Sequence, residues 1–182
     1  MKHFLYLSIL FLTVSCATTS SVETPFVFSK EFNENDIVWA KESGKTKIEG
    51  SSFIVDRMGL NGTTHTCVGY SAWLIPQSDF QEEYLNYLFD NLEESFWNHK
   101  GPIPFKKTDI TTDSDGGVRE SKCDIDGKFE FNNVPNGTYY VNSTVYYVGG
   151  PFRTIPPDYK GGMFLKKVVV NDQDSLRVVL TN

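Results

Sequence analysis

Asp126-Gly127 and Asn136-Gly137 stand either side of an alternating run, Lys128-Phe-Glu-Phe-Asn132, and the second pair leads into a longer run of β-branched and aromatic residues. Alternation at period two builds a strand with one buried face, and glycine after Asp or Asn accepts the positive φ of a tight reversal. Such a stretch folds only as β-structure. The pattern extends along the chain: strands are expected at about residues 46–55, 63–75 (closed by Pro76), 118–124, 128–132, 138–148, 163–170 and 176–180. Residues 118–124 and 128–132 are expected to form a hairpin, and the last two strands to pair across residues 171–174. Phe129 and Phe131, two apart, share a face; in the long strand, Tyr139, Val141, Ser143, Val145 and Tyr147 share one face and Tyr140, Asn142, Thr144 and Tyr146 the other. One helix interrupts the series. Ser78 with Gln81 three residues on has capping-box spacing, and Leu85, Leu88, Phe89, Leu92 and Phe96 recur at helical spacing, which predicts a helix over about 79–97, stopped by Gly101-Pro102. Many short strands with one inserted helix predict a mainly β, antiparallel Greek-key sandwich.

Ahead of this domain, Lys2 is followed by an apolar segment running from Phe4 into Cys16. At about a dozen residues it is short of the roughly 20 that cross a bilayer core. Val14-Ser15-Cys16 resembles the lipobox of bacterial lipoprotein signals, which implies that Cys16 becomes the acylated (palmitate-bearing) first residue and that residues 1–16 are a signal peptide. Ala17 in the next position, where aspartate would favour inner-membrane retention, points to a protein lipid-anchored in the outer membrane, periplasmic or surface-facing. Residues 17–36 have the composition of a flexible tether, and residues 37–182 form the domain. In an oxidising compartment Cys67 and Cys123 form an even pair, expected as a disulfide, with two buried free thiols as the alternative. A net charge of −6 without a basic run argues against nucleic acid as a partner.

Two segments resemble the bacterial carboxypeptidase regulatory-like domain, a transthyretin-like or prealbumin-like sandwich. One is Thr66-Cys-Val-Gly-Tyr-Ser-Ala-Trp-Leu-Ile-Pro76, followed by Phe80 and Tyr84. The more specific one matches Asp-x-x-Gly-x-Phe-x-Phe, a spacer, then Pro-x-Gly-x-Tyr-x-Val, at Asp124, Gly127, Phe129, Phe131, Pro135, Gly137, Tyr139 and Val141. The similarity covers about residues 46–182, with the helix as an insertion. Turn and core residues make up this motif, so the resemblance implies a fold and a module that is usually non-catalytic, and no reaction.

Chemistry-bearing residues are sparse. Behind the leader only His65 and His99 remain, which excludes a histidine-rich metal site, and no cofactor is expected. Ser43-Gly-Lys-Thr46 lacks the earlier glycine of a phosphate loop. The acidic turns at residues 113–117 and 124–127 are read first as turn chemistry and second as weak calcium loops. Aromatic residues are the remaining candidates for a binding surface: Trp73, Trp97, Tyr140 and Tyr146 foremost, with Tyr70, Phe152 and Tyr159. The expectation is a non-enzymatic envelope lipoprotein that binds or assembles with an envelope protein. The alternative is a glycan-binding lipoprotein, and a lesser alternative an enzyme with its site near His65 or His99.

Overall fold

In the computed structural model, residues 27–57, 62–98, 117–149 and 158–182 are described. The leader, Cys16, His99, Phe152 and the acidic turn at residues 113–116 lie outside them. Two sheets face each other. In the first, β1 (Thr46–Asp56) is central: β6 (Lys128–Val134) and β2 (Thr63–Thr66) follow one another along one side, both antiparallel, and β9 (Ser175–Thr181) runs along the other. The second has the order β4-β8-β7-β3-β5, antiparallel throughout, built from β3 (Ser71–Pro76), β4 (Glu94–Asn98), β5 (Arg119–Lys122), β7 (Gly137–Val148) and β8 (Tyr159–Val170). This is the expected mainly β, Greek-key, prealbumin-like sandwich with one inserted helix.

The alternating residues fill it as their spacing requires. Ile48, Ile54, Phe129, Phe131, Tyr139, Val141, Val145, Phe164, Val178 and Leu180 pack between the sheets. Each such side chain contributes about 1.5–3 kcal/mol when fully buried. Tyr139 satisfies its buried hydroxyl by donating to the Pro135 carbonyl at 3.0 Å, and burial pushes that phenol up to about 12. The other face of the second sheet is also covered: Tyr140 of β7, Met163 and Leu165 of β8 and Ile75 of β3 pack with Leu85 of the helix α1 (Asp79–Leu88) and with Phe89 just after it. Gly137 is required by close approach, because a Cβ there would lie 2.1 Å from the Trp39 ring.

The disulfide is formed between Cys67 and Cys123, Cα atoms 5.7 Å apart, where the chain changes sheets after β2 and after β5. Such changes correct several local expectations. The 63–75 strand is two strands in different sheets, broken at Gly69 (φ +84), where the Tyr70 amide bonds the Cys67 carbonyl. The Asp126-Gly127 reversal forms, with Gly127 at φ +74 and the Asp124 amide on the Lys128 carbonyl at 2.9 Å, but its arms β5 and β6 belong to different sheets. The last two strands likewise do not pair with each other: β8 lies beside β7, and β9 crosses over to pair with β1 in parallel. A turn signal specifies a reversal and not the partner of the strand that follows, and crossing lets β8 and β9 bring Phe164, Val168, Val178 and Leu180 to one core from opposite sheets.

The helix is shorter than its apolar spacing predicts. Ser78 caps it through the Gln81 amide, but Phe89 is already extended, and the Asn91 side chain accepts from the Glu93 amide at 2.8 Å to turn the chain. Phe96 and Trp97 therefore lie on β4, paired with β8, rather than at a helix end. Their aromatic side chains suit a pleated edge, and Phe96 stacks on Phe164 with centroids 4.7 Å apart. Residues 28–32, expected within a flexible tether, are docked on α1. Phe28 stacks on Phe80 at 4.3 Å, Phe32 meets the same ring edge-on, and the Ser29 and Lys30 amides donate to the Glu83 carboxylate.

Candidate functional site

A polar cleft of about 520 Å³ opens beside the first sheet, lined by Glu49, Gly50, Ser51, Ser121, Lys122, Asp124, Lys128, Phe129, Glu130 and Arg177. The strand period puts Glu49 and Ser51 of β1, Lys128 and Glu130 of β6, and Arg177 of β9 on the face opposite the buried Ile48, Phe129 and Val178. Register then aligns them: Glu49 stands opposite Glu130 on one side and Arg177 on the other, and Ser51 opposite Lys128. Residues of β5 and the following turn form the far wall, tied in by the Glu130 amide donating to Ser121 Oγ at 3.1 Å.

Internal pairing fixes most of the charges. Lys47 bridges Glu49 Oε1 at 2.8 Å and Glu130 Oε2 at 2.9 Å, and these contacts hold the Glu130 carboxyl below the usual carboxylate range. Asn132 donates to the other Glu130 oxygen at 3.1 Å. Lys122 binds Glu120 and Ser71 Oγ, Lys128 binds Asp126, and Asp124 Oδ1 accepts the Asp126 and Lys128 amides. The turn at 124–127 is thus closed by its own hydrogen bonds. Among the described residues no group of three or more His, Cys, Asp or Glu side chains is placed to hold a metal ion. Chemically, the cleft offers carboxylate acceptors, the hydroxyls of Ser51 and Ser121, and cationic donors at one surface.

The four foremost aromatics lie elsewhere, on the second sheet. Tyr140 is fully buried, its hydroxyl bonded to Glu82, which also accepts from Gln77 Nε2 at 2.6 Å; burial, and then that carboxylate, push its phenol up. Tyr146 is also buried, edge-on to Tyr70 with centroids 6.1 Å apart. Trp73 and Trp97 are half-buried and pack against the cluster under α1, Trp73 in register with Asn142 and Trp97 with Met163. The two tyrosines offer no exposed ring to a ligand. Tyr159, by contrast, is exposed at the start of β8.

His65 stacks flat on Tyr147, centroids 3.6 Å apart, and Tyr147 donates to Asp56 Oδ2 at 3.2 Å. Burial, followed by that carboxylate, raises the Tyr147 phenol above its ordinary value, away from service as a base. This trio braces the β2 end of the sandwich. Sequence reasoning missed the cleft residues: Lys47-x-Glu49-x-Ser51 and Lys128-x-Glu130 show outward polar alternation, but bringing Arg177 beside Glu49 depends on the parallel β1–β9 pairing.

The class defined by this architecture is the two-sheet, prealbumin-like β-sandwich with one inserted helix. Neither a known family profile nor a curated protein matches the chain by sequence. Among solved structures it is similar to a Pseudomonas aeruginosa protein provisionally described as carbohydrate-binding, at 23% identity and a TM-score of 0.62, covering 84% of this chain and 99% of that one. At that identity the likeness shows a shared fold. A minor pilin of Streptococcus agalactiae is similar more loosely, at 14% identity and a TM-score of 0.35, covering 75% of this chain and 43% of the pilin, and carries no argument.

Proposed function

We propose that this chain is a non-catalytic glycan-binding module of the bacterial envelope, anchored through lipid on Cys16 and binding sugar in the cleft beside β1, β6 and β9. One observation carries the reading: a cleft of about 520 Å³ lined by Ser51 and Ser121, whose Glu49 and Glu130 carboxylates are already held by Lys47. That volume lies in the range of small-ligand sites, and preorganised acceptors suit a ligand made of hydroxyl groups. The Pseudomonas protein of similar fold, provisionally described as carbohydrate-binding, supports the reading. So does the chain's likeness to non-catalytic modules.

Screening the full chain in detergent against immobilised oligosaccharides tests it. Binding is expected, and E49Q and E130Q are each expected to weaken it several-fold. Undiminished binding in the E49Q/E130Q double variant would move the ligand away from this cleft. A protein-binding role is a second reading. It is favoured by an apolar groove of about 280 Å³ between edge strands β4 and β9, lined by Phe96, Phe164, Leu165 and Leu180, where an extended segment of a partner could add.

A further inference from the structure

The geometry points to a carboxylated sugar as the ligand of the cleft, with Arg177 as the residue that selects it. The inference rests on the glycan-binding reading of this same site. Among the charged groups lining the cleft, Lys122, Lys128, Asp124, Glu49 and Glu130 all have partners within the protein. Arg177 is different. It lines the cleft as an exposed residue of β9, and its guanidinium side chain makes no ion pair or hydrogen bond among the described residues. A planar fork of this kind matches a carboxylate through two parallel hydrogen bonds.

Its neighbours narrow the class of ligand. Glu49 stands directly opposite Arg177, and its carboxylate, bridged to Lys47 at Oε1, keeps further lone pairs for a ligand hydroxyl. Ser51 lies two residues further along the same strand face. An unpaired bidentate donor therefore adjoins an acceptor with spare capacity. A uronate or lactyl-ether sugar meets both demands at once: its carboxylate takes the Arg177 fork and an adjacent hydroxyl donates to Glu49. A neutral sugar leaves the fork without its match. A polyphosphate or heavily sulfated chain would bring several negative charges against Glu49 and Glu130, which costs binding energy.

Calorimetric titration of the full chain in detergent provides the test, using oligosaccharides with free carboxylates of galacturonate, glucuronate and muramic-acid types, their methyl esters, and inorganic phosphate. At least one free acid is expected to bind at least tenfold more tightly than its ester, with affinity falling as salt is raised. R177A is expected to lose at least tenfold, and R177K to retain an intermediate affinity because an ammonium keeps the charge and loses the fork. The Arg177 side chain makes no ion pair or hydrogen bond among the described residues, so both variants should melt with the wild-type protein. Equal binding of acid and ester, or wild-type affinity in R177A, would overturn the carboxylate inference and leave the glycan reading standing. Displacement of the sugar by millimolar phosphate would reduce the site to a general anion site and overturn the sugar assignment. No binding by any saccharide would remove both readings.

Discussion

Arg119 offers the sharpest structural test. Its Nη1 donates to the Asn132 and Asn133 carbonyls at 3.0 and 3.1 Å, and its Nη2 to those of Ala40 and Glu42 at 3.0 and 3.1 Å. One guanidinium thus ties β5 to the 3-10 turn at Val38–Lys41 and its cap, and to the last residues of β6. The bond to Ala40 is part-buried and the other three are exposed, where water replaces the lost donor. Taking about 1.5 kcal/mol for the part-buried bond and about 0.5 kcal/mol for each exposed one, R119M should lose about 3 kcal/mol. For a domain of this size that corresponds to a fall in Tm of roughly 6–12 °C. R119K should recover less than half, because an ammonium cannot fork to four carbonyls. Urea denaturation under non-reducing conditions measures both variants, and hydrogen exchange should quicken around residues 38–42 while α1 stays protected. A loss below about 1 kcal/mol, or an R119K variant as stable as wild type, would refute the reasoning.

Breaking the Cys67–Cys123 bond in the double Ala variant should cost about 4 kcal/mol, the chain-entropy value for a separation of 56 residues, read by denaturation against the oxidised protein. The docked segment 28–32 should loosen in acid. Backbone donation from Ser29 lowers the Glu83 carboxyl, so its contribution is complete above the ordinary carboxylate range and disappears as pH falls through the depressed value; proteolysis near Phe28 should quicken over that interval and not above it. F28A should release the same segment at neutral pH by removing the ring stacked on Phe80, with cleavage again the readout and little change in global stability. Radiolabelled palmitate should mark the wild-type chain and not C16S; persistent labelling would remove the anchor from the account.

What could be read from the sequence followed local rules. Phe129, Phe131, Tyr139 and Val141 occupy the core that their alternation assigned them, and Ser78 caps the helix as its spacing requires. The information lost was about partners. Asp126-Gly127 marks a reversal but not that its arms enter separate sheets, and Leu92 and Phe96 keep helical spacing although Phe96 is held by β8. Tyr140 and Tyr146 alternate as a solvent-facing row would, but at least Tyr140 is covered by the helix cluster, whose packing depends on residues distant in sequence. The cleft was least legible, because Arg177 and Glu49 meet only through a parallel pairing of residues 128 positions apart.

Chemical-shift mapping on the labelled full chain, titrated with envelope glycan fragments, tests the central claim most directly. The account predicts saturable shifts in the backbone amides of Glu49, Ser51, Glu130 and Arg177, with α1 and the Phe96–Leu180 groove undisturbed. Shifts confined to that groove, or to α1 and Trp73, would contradict it.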